Sequence, residues 1–224
     1  MSSTENWWKG EINWATPAGR LLDKFLAALP DDRAFHFVLF GSAPLQLSID
    51  HALLSADVDL FSENEEEDLA ALVEAAKLGK SQGGIYLEPG HSLSFRASPH
   101  WRARARSLTR RRATLTLPHP HDVLIGKLAR LDAKDVQAFR RVMELTGHPT
   151  ADEFKKDLQN AVDLFRPAFD DDSPNRYPEN TRRLWREVFH AEIDLQRDII
   201  APALAKRREN YGETTPDYKH FLER

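Results

Sequence analysis

The sequence predicts an α+β fold, in which helices flank a small mixed β-sheet and a helical unit follows at the C-terminal end. Two observations predict the sheet: short apolar runs bounded by glycine or proline, and helix-like segments that alternate with them up to residue 117. A third predicts the helical unit, because apolar residues from position 154 onward recur at helical spacing. With 41% hydrophobic and 29% charged residues, the 224-residue chain is apolar enough to bury a core.

The first helix is predicted by a start signal and one apolar face. Thr16 is a capping residue and Pro17 suits the first helical position. Apolar residues then recur at helical spacing, at Leu21, Leu22, Phe25, Leu26 and Leu29. Residues 30–32, Pro-Asp-Asp, end the helix, and the apolar run 35–40 indicates a buried strand.

A sharp turn at Gly41-Ser42 is followed by alternating helix and strand segments. Residues 43–54 predict a helix, and residues 58–61 predict a strand flanked by carboxylates. Acidic residues lead the segment 63–77 and apolar residues follow, which predicts a helix because negative charge favours a helix start.

The remaining strands and two more helices follow in order. The predicted strands are residues 85–88, 93–97 and 113–117. The predicted helices are residues 123–131 and 134–146, and Gly147 is placed to end the second.

The last third of the chain is predicted to be helical. One helical face is indicated by Phe154, Leu158, Val162 and Phe165. A heptad-like spacing is shown by Leu184, Val188, Ala191, Leu195 and Ile199. Because no chemical motif occurs in this part, we predict two domains, 1–148 and 149–224.

Composition excludes several classes of site. The chain has no cysteine, which excludes disulfides, thiolate nucleophiles and cysteine-bound zinc. A formal net charge of -4 argues against a whole surface built for polyanions, although a regional basic patch remains compatible with it. No stretch is apolar over the ~18 residues that a membrane span needs. We therefore expect a soluble, cytoplasmic protein with no membrane partner.

The chemistry that the sequence suggests lies in residues 35–62. Gly41 at a strand end lets backbone N–H groups approach phosphate oxygens, Ser42 adds a hydroxyl, and the next helix points its positive end at them. Alternation along a strand places Asp57 and Asp59 on one face, where both carboxylates can bind a hard cation. Each feature alone is common, and Asp-x-Asp is often just a solvated strand edge. Their order along the chain makes them informative.

Residues 35–62 contain, in order, an apolar strand, Gly-Ser, a helix and a strand with Asp-x-Asp. In this order they resemble the first motif of the DNA polymerase beta-like nucleotidyltransferase superfamily. The resemblance implies a nucleotidyltransferase-like domain at 1–148. It implies that Gly41 and Ser42 hold the phosphates of a nucleoside triphosphate and that Asp57 and Asp59 are catalytic and bind Mg²⁺ or Mn²⁺. Such ions activate the attacking hydroxyl and neutralise charge on the leaving pyrophosphate.

A third carboxylate is usual in this superfamily, on a neighbouring strand. No aspartate occupies such a position here, and Glu88 at the end of the predicted strand 85–88 is the best substitute. If Glu88 points away, the site loses a metal ligand and the base that deprotonates the acceptor. A binding module without catalysis is then the alternative.

Residues 118–141 resemble the helical segment of AbiEii-type minimal nucleotidyltransferases, the toxin halves of type IV toxin–antitoxin pairs and their bacterial relatives. That segment has an aspartate-led helix with a lysine, followed by Lys-Asp. The matching residues here are Asp122, Lys127, Lys134 and Asp135.

This resemblance implies that Lys127 contacts nucleotide phosphates and that Asp135 helps to order the catalytic site. The spacing also allows one helix face to present Lys127, Arg130 and Lys134 to a triphosphate. The alternative interpretation is structural, with Asp135 capping the next helix and the cations solvated.

The densest basic stretch of the chain consists of Arg102, Arg104, Arg106, Arg110, Arg111 and Arg112. Alternation at the first three predicts guanidinium groups on one side of an extended segment, where RNA or a triphosphate could dock. A solvated face balanced by nearby acids is the alternative.

Together these features predict an enzyme that moves a nucleoside monophosphate from a nucleoside triphosphate to a hydroxyl of RNA, protein or a small molecule. The AbiEii resemblance implies a toxin that acts on tRNA ends and has an antitoxin partner, or a related housekeeping enzyme. A non-catalytic nucleotide- or partner-binding module is the alternative, and a helical interaction protein is a third interpretation.

Overall fold

The computed structural model describes residues 8, 10–53, 56–166 and 174–211. The chain divides into two compact units. The first comprises Met1–Phe95 and His100–Val123, and the second comprises Arg96–Pro99 and Leu124–Arg224. The sequence-based boundary at 148/149 lies further along the chain, and the division into those two domains stays a prediction.

The first unit contains a five-stranded mixed sheet, so the fold is α+β as predicted. Its strands in chain order are β1 (Phe35–Leu39), β2 (Asp57–Ser62), β3 (Tyr86–Pro89), β4 (Arg106–Arg110) and β5 (Ala113–Leu117). Their spatial order is β3-β2-β1-β5-β4. The pairs β1–β5 and β2–β3 are parallel, and the pairs β1–β2 and β4–β5 are antiparallel.

In the described part of the first unit, four α-helices lie wholly within it: α1 (Pro17–Ala28), α2 (Ala43–Ser48), α3 (Leu69–Ala75) and α4 (Trp101–Arg104). The predicted start of α1 is confirmed, since the Thr16 hydroxyl accepts a hydrogen bond from the Gly19 N–H at 3.0 Å. The apolar face of α1 packs on the sheet, where the rings of Phe25 and Phe37 lie 5.5 Å apart.

Two of these helices are shorter than the sequence predicts, because side chains compete for backbone hydrogen bonds. The helix predicted at 43–54 ends at Ser48, and Asp50 accepts a hydrogen bond from the Ala52 N–H at 3.0 Å, which favours a turn. The helix predicted at 63–77 begins only at Leu69, because Asp68 caps it by accepting from the Ala71 N–H at 2.9 Å.

The strand predicted at 93–97 is wrong. Ser92–Ser94 form a short 3-10 turn, in which the His91 ring accepts from the Leu93 N–H at 3.3 Å, and the Leu93 side chain is exposed. The extended segment predicted through Arg102 and Arg104 is also wrong, because these residues form α4.

The second unit is helical. One helix, α5 (Pro120–Lys127), begins in the first unit and ends in the second. The others are α6 (Ala133–Thr146), α7 (Ala151–Asn160), α8 (Tyr177–Leu184) and α9 (Ala201–Tyr211). Gly147 ends α6 in the left-handed conformation, with φ 73°, as the sequence predicts.

The heptad-like series of the C-terminal part does not lie on one continuous helix. π-helical turns occupy Trp185–Phe189 and Gln196–Ile200, and His190 between them has φ 53°. Ala191 is therefore exposed, whereas the other members of the series are buried. Among the described residues, no helix is long and apolar enough to cross a membrane.

Candidate functional site

The turn after β1 brings the backbone against a carboxylate of β2. Gly41 has φ +64°, and a Cβ atom on Gly41 would lie 1.9 Å from Asp59 Oδ2. The Phe40 N–H also donates to the Asp59 carbonyl at 3.0 Å, which fixes the register of the turn on the strand. Only glycine leaves room for the carboxylate of Asp59 at this position.

Asp57 and Asp59 share one face of β2. Val58 and Leu60, which alternate with them, are fully buried in the core of the first unit, whereas both aspartates are half-buried. Strand alternation therefore directs the two carboxylates away from that core and toward the same side.

Glu88 completes the carboxylate cluster. The parallel register of β2 and β3 pairs Asp59 with Glu88, and one oxygen from each of Asp57, Asp59 and Glu88 lies within 4.8 Å of the others. Three carboxylates this close repel one another unless a cation lies between them. Their oxygens are the ligands that Mg²⁺ and Mn²⁺ prefer, so the donor set fits the predicted ion.

Tyr86 is a member of the cluster that sequence reasoning missed. Its register partner on β2 is Asp57, and its hydroxyl donates to Glu88 Oε2 at 3.5 Å. Partial burial raises the pKa of Tyr86, and the negative charges of Glu88, Asp57 and Asp59 raise this pKa further. The signal that could have found Tyr86 is its i, i+2 spacing from Glu88 on a strand.

Ser42 lies at the N-cap position of α2, but its side chain does not cap that helix. Because α2 contains only Ala43–Ser48, its dipole would attract a phosphate less strongly than the predicted twelve-residue segment would. A phosphate at this turn would therefore be contacted mainly by the backbone of Gly41 and Ser42.

We expect Gly41→Ala to destabilise the protein and to disturb the carboxylate cluster. The left-handed backbone costs a residue with a Cβ about 1–2 kcal/mol, and the new methyl group would displace Asp59. Thermal melts with and without Mg²⁺ measure both effects. Gly84→Ala is the matched control, because Gly84 has φ +71° and open space around its Cβ position. Equal melting temperatures and equal Mg²⁺ responses in the two variants would contradict the role assigned to Gly41.

Of the residues matched to the AbiEii segment, Lys127 and Asp135 form an ion-pair network with Arg130 in the second unit. Lys127 Nζ lies 2.8 Å from Asp135 Oδ1, and both side chains are at least nine-tenths buried. Arg130 Nε lies 3.4 Å from Asp135 Oδ2 and 3.0 Å from Asp132 Oδ2, and its side chain is mostly exposed. Lys134 is exposed on the first turn of α6.

The predicted common helix face for these cations is wrong. α5 ends at Lys127, Arg130 lies in the connecting loop, and Lys134 belongs to α6. Lys127 is not solvated either, since it is buried against Asp135.

Asp135 has a capping role in addition to its ion pair. It forms a capping box with Asp132, whose side chain accepts from the Asp135 N–H at 3.1 Å while Asp135 Oδ2 accepts from the Asp132 N–H at 3.2 Å. Burial acts to raise the pKa of Asp135, but the charges of Lys127 and Arg130 outweigh it and lower this pKa below its usual value.

The arginine-rich stretch forms mostly internal interactions in the first unit. Arg104 binds the buried Asp122 through two hydrogen bonds of 2.8 and 3.1 Å. The other partners are Glu63 for Arg102, the Gly10 carbonyl for Arg106, Asp23 for Arg110 and Arg111, and Asp31 for Arg112. The stretch therefore gives no support to an RNA-binding surface.

Comparison of the chain with protein-family models, curated proteins and solved structures finds no match.

Proposed function

We propose that the protein is a metal-dependent nucleotidyltransferase, which moves a nucleoside monophosphate from a nucleoside triphosphate to a hydroxyl acceptor. The observation that carries the proposal is the contact between Gly41 and the carboxylate of Asp59, beside Asp57 and Glu88. It joins a turn suited to phosphate with a set of carboxylates suited to a divalent cation.

Each part of this arrangement has a separate task. Asp57, Asp59 and Glu88 would hold Mg²⁺ or Mn²⁺, which when bound offsets the negative charge of the triphosphate and of the leaving pyrophosphate. The backbone N–H groups after Gly41 would orient the phosphates. The most exposed of the three carboxylates, Glu88, is the group that would accept the proton of the attacking hydroxyl.

Tyr86 supports this role of Glu88 without taking the proton itself. An ordinary phenol, with a pKa of about 10, is already protonated at neutral pH, and the raised pKa of Tyr86 keeps it so. Its hydroxyl can therefore donate to Glu88. That bond helps to orient the carboxylate, whose remaining lone pairs are enough for both the cation and the acceptor proton.

Three classes of acceptor fit this chemistry: RNA ends, protein hydroxyls and small molecules. The resemblance of residues 118–141 to AbiEii-type enzymes favours a tRNA end and an antitoxin partner. The buried ion pair of Lys127 argues that this lysine is not the triphosphate ligand, so that part of the resemblance carries less weight.

The test is incorporation of nucleotides labelled at the α-phosphate. Each of the four triphosphates is incubated with the protein, Mg²⁺ or Mn²⁺, and either tRNA or the protein alone, with EDTA as the control. The proposal expects cation-dependent transfer of label. Calorimetric binding of a magnesium triphosphate without transfer to any acceptor would instead favour the non-catalytic binding module.

A further inference from the structure

A second candidate site in the first unit is a cavity of about 280 Å³ that is separate from the carboxylate cluster. Its cationic residues are Arg20 and Lys24 of α1 and Lys77, which follows α3. Its apolar lining includes Leu21, Leu78 and Ile85. None of the residues that line it is acidic.

The two lysines of this cavity, unlike most of the arginines at 102–112, have no acidic partner among the described residues. Within the described part of the chain, Lys24 and Lys77 form no ion pair. Asp23, the neighbour of Lys24 in sequence, is bound instead by Arg110 at 2.7 Å, and this hydrogen bond lowers the pKa of Asp23. Arg20, Lys24 and Lys77 are all exposed, and three cations at one cavity favour an anionic ligand.

Lys77 occupies a backbone position that favours glycine. It is left-handed, with φ 56°, at the end of α3. The Lys77 N–H donates to the Glu74 carbonyl at 3.0 Å and the Leu78 N–H donates to the Val73 carbonyl at 3.2 Å, which together form a Schellman motif. A lysine here has strain that glycine would not have, and such strain is often kept where a side chain contacts a ligand.

We propose that this cavity binds a small phosphate monoester with an apolar body. A phosphate monoester carries a charge of about −1.5 to −2 at neutral pH, so it balances three cations better than a carboxylate does. One nitrogen of the Arg20 guanidinium donates to the Ala15 carbonyl, and its other N–H groups suit phosphate oxygens. The leucine and isoleucine side chains suit an apolar group. The volume lies near the lower limit of about 300 Å³ for ligand pockets, which indicates a small molecule and not a polymer.

The probe for this site is phenyl phosphate, followed by the methyl resonances of Leu21, Leu78 and Ile85 in the full-length protein. We expect saturable shifts of these methyl groups, tighter binding than for inorganic phosphate, and no saturable binding of phenol. Lys24→Gln should weaken the binding about three- to tenfold, as expected for a partly exposed charge-assisted contact.

Lys77→Gly separates the ligand role from a structural role. Glycine relieves the left-handed strain, so the variant should melt at a higher temperature than the wild type while it binds phenyl phosphate about three- to tenfold more weakly. Lys156→Gln, at an exposed position of α7, is the control and should keep wild-type affinity. The proposal is overturned if phenyl phosphate gives no saturable shift, or if Lys24→Gln and Lys77→Gly both bind it as the wild type does.

Discussion

Asp59→Ala is expected to reduce cation-dependent nucleotide transfer by about 10²-fold or more, since it removes a principal charge-stabilising group. Asp59 is the carboxylate for which Gly41 makes room, and it lies within 4.8 Å of the ligand oxygens of Asp57 and Glu88. Its side chain is half-buried and is not part of the apolar core. The melting temperature should therefore stay the same or rise slightly, because one of three clustered negative charges is gone.

Two measurements make this prediction specific to the site. Mg²⁺ should raise the melting temperature of the wild type and have a smaller effect on Asp59→Ala, because a ligand that binds only the folded state stabilises it. Glu66→Ala removes an exposed acid of the same unit and should behave as the wild type in both assays. Wild-type transfer rates in Asp59→Ala would remove the carboxylate cluster from the reaction.

The part of this site that follows from local sequence could be predicted. The alternation of Asp57 and Asp59 and the turn at Gly41 need only strand geometry and the conformational freedom of glycine. The approach of Glu88 could not be derived in the same way, because it depends on the register between β2 and β3, which contacts distant in sequence determine.

The missed strand and the misplaced lysine also depend on contacts between residues that are distant in sequence. The strand β4 (Arg106–Arg110) was missed because Leu108 is the only apolar residue among its five, too few for a pattern. Arg110, for example, is held by Asp23, which is 87 positions away along the chain. We expected Lys127 of α5 to be exposed or to lie in a cleft. Instead, Asp135 on the first turn of α6 lies next to the lysine and pairs with it.

This buried pair gives Asp135 a structural role that competes with the catalytic role implied by the resemblance. Asp135 is fully buried and interacts with Lys127, Arg130 and the backbone N–H of Asp132. A buried pair contributes little net free energy, because desolvation offsets attraction, but the loss of one partner leaves the other charge uncompensated.

Asp135→Ala is therefore expected to lower the free energy of unfolding by about 3–5 kcal/mol, as when one member of a buried ion pair is removed. The ammonium of Lys127 would stay buried after losing the carboxylate 2.8 Å from it, and α6 would lose half of its capping box. Urea unfolding at neutral pH measures this loss. Lys127→Met combined with Asp135→Ala should recover part of it, since the double variant removes both charges of the pair.

The control and the pH dependence distinguish the structural role from the catalytic one. Asp152→Ala removes an exposed carboxylate that lies 3.4 Å from Lys155, and it should cost no more than about 1 kcal/mol. Because the folded-state pKa of Asp135 is lowered, its contribution to stability is present above the unfolded-state pKa of about 3.9 and is lost as pH falls through the folded-state value. The difference in unfolding free energy between the wild type and Asp135→Asn should therefore shrink in acid. If Asp135→Asn loses nucleotide transfer while Asp135→Ala is as stable as Asp152→Ala, Asp135 belongs to the reaction and not to the core of the second unit.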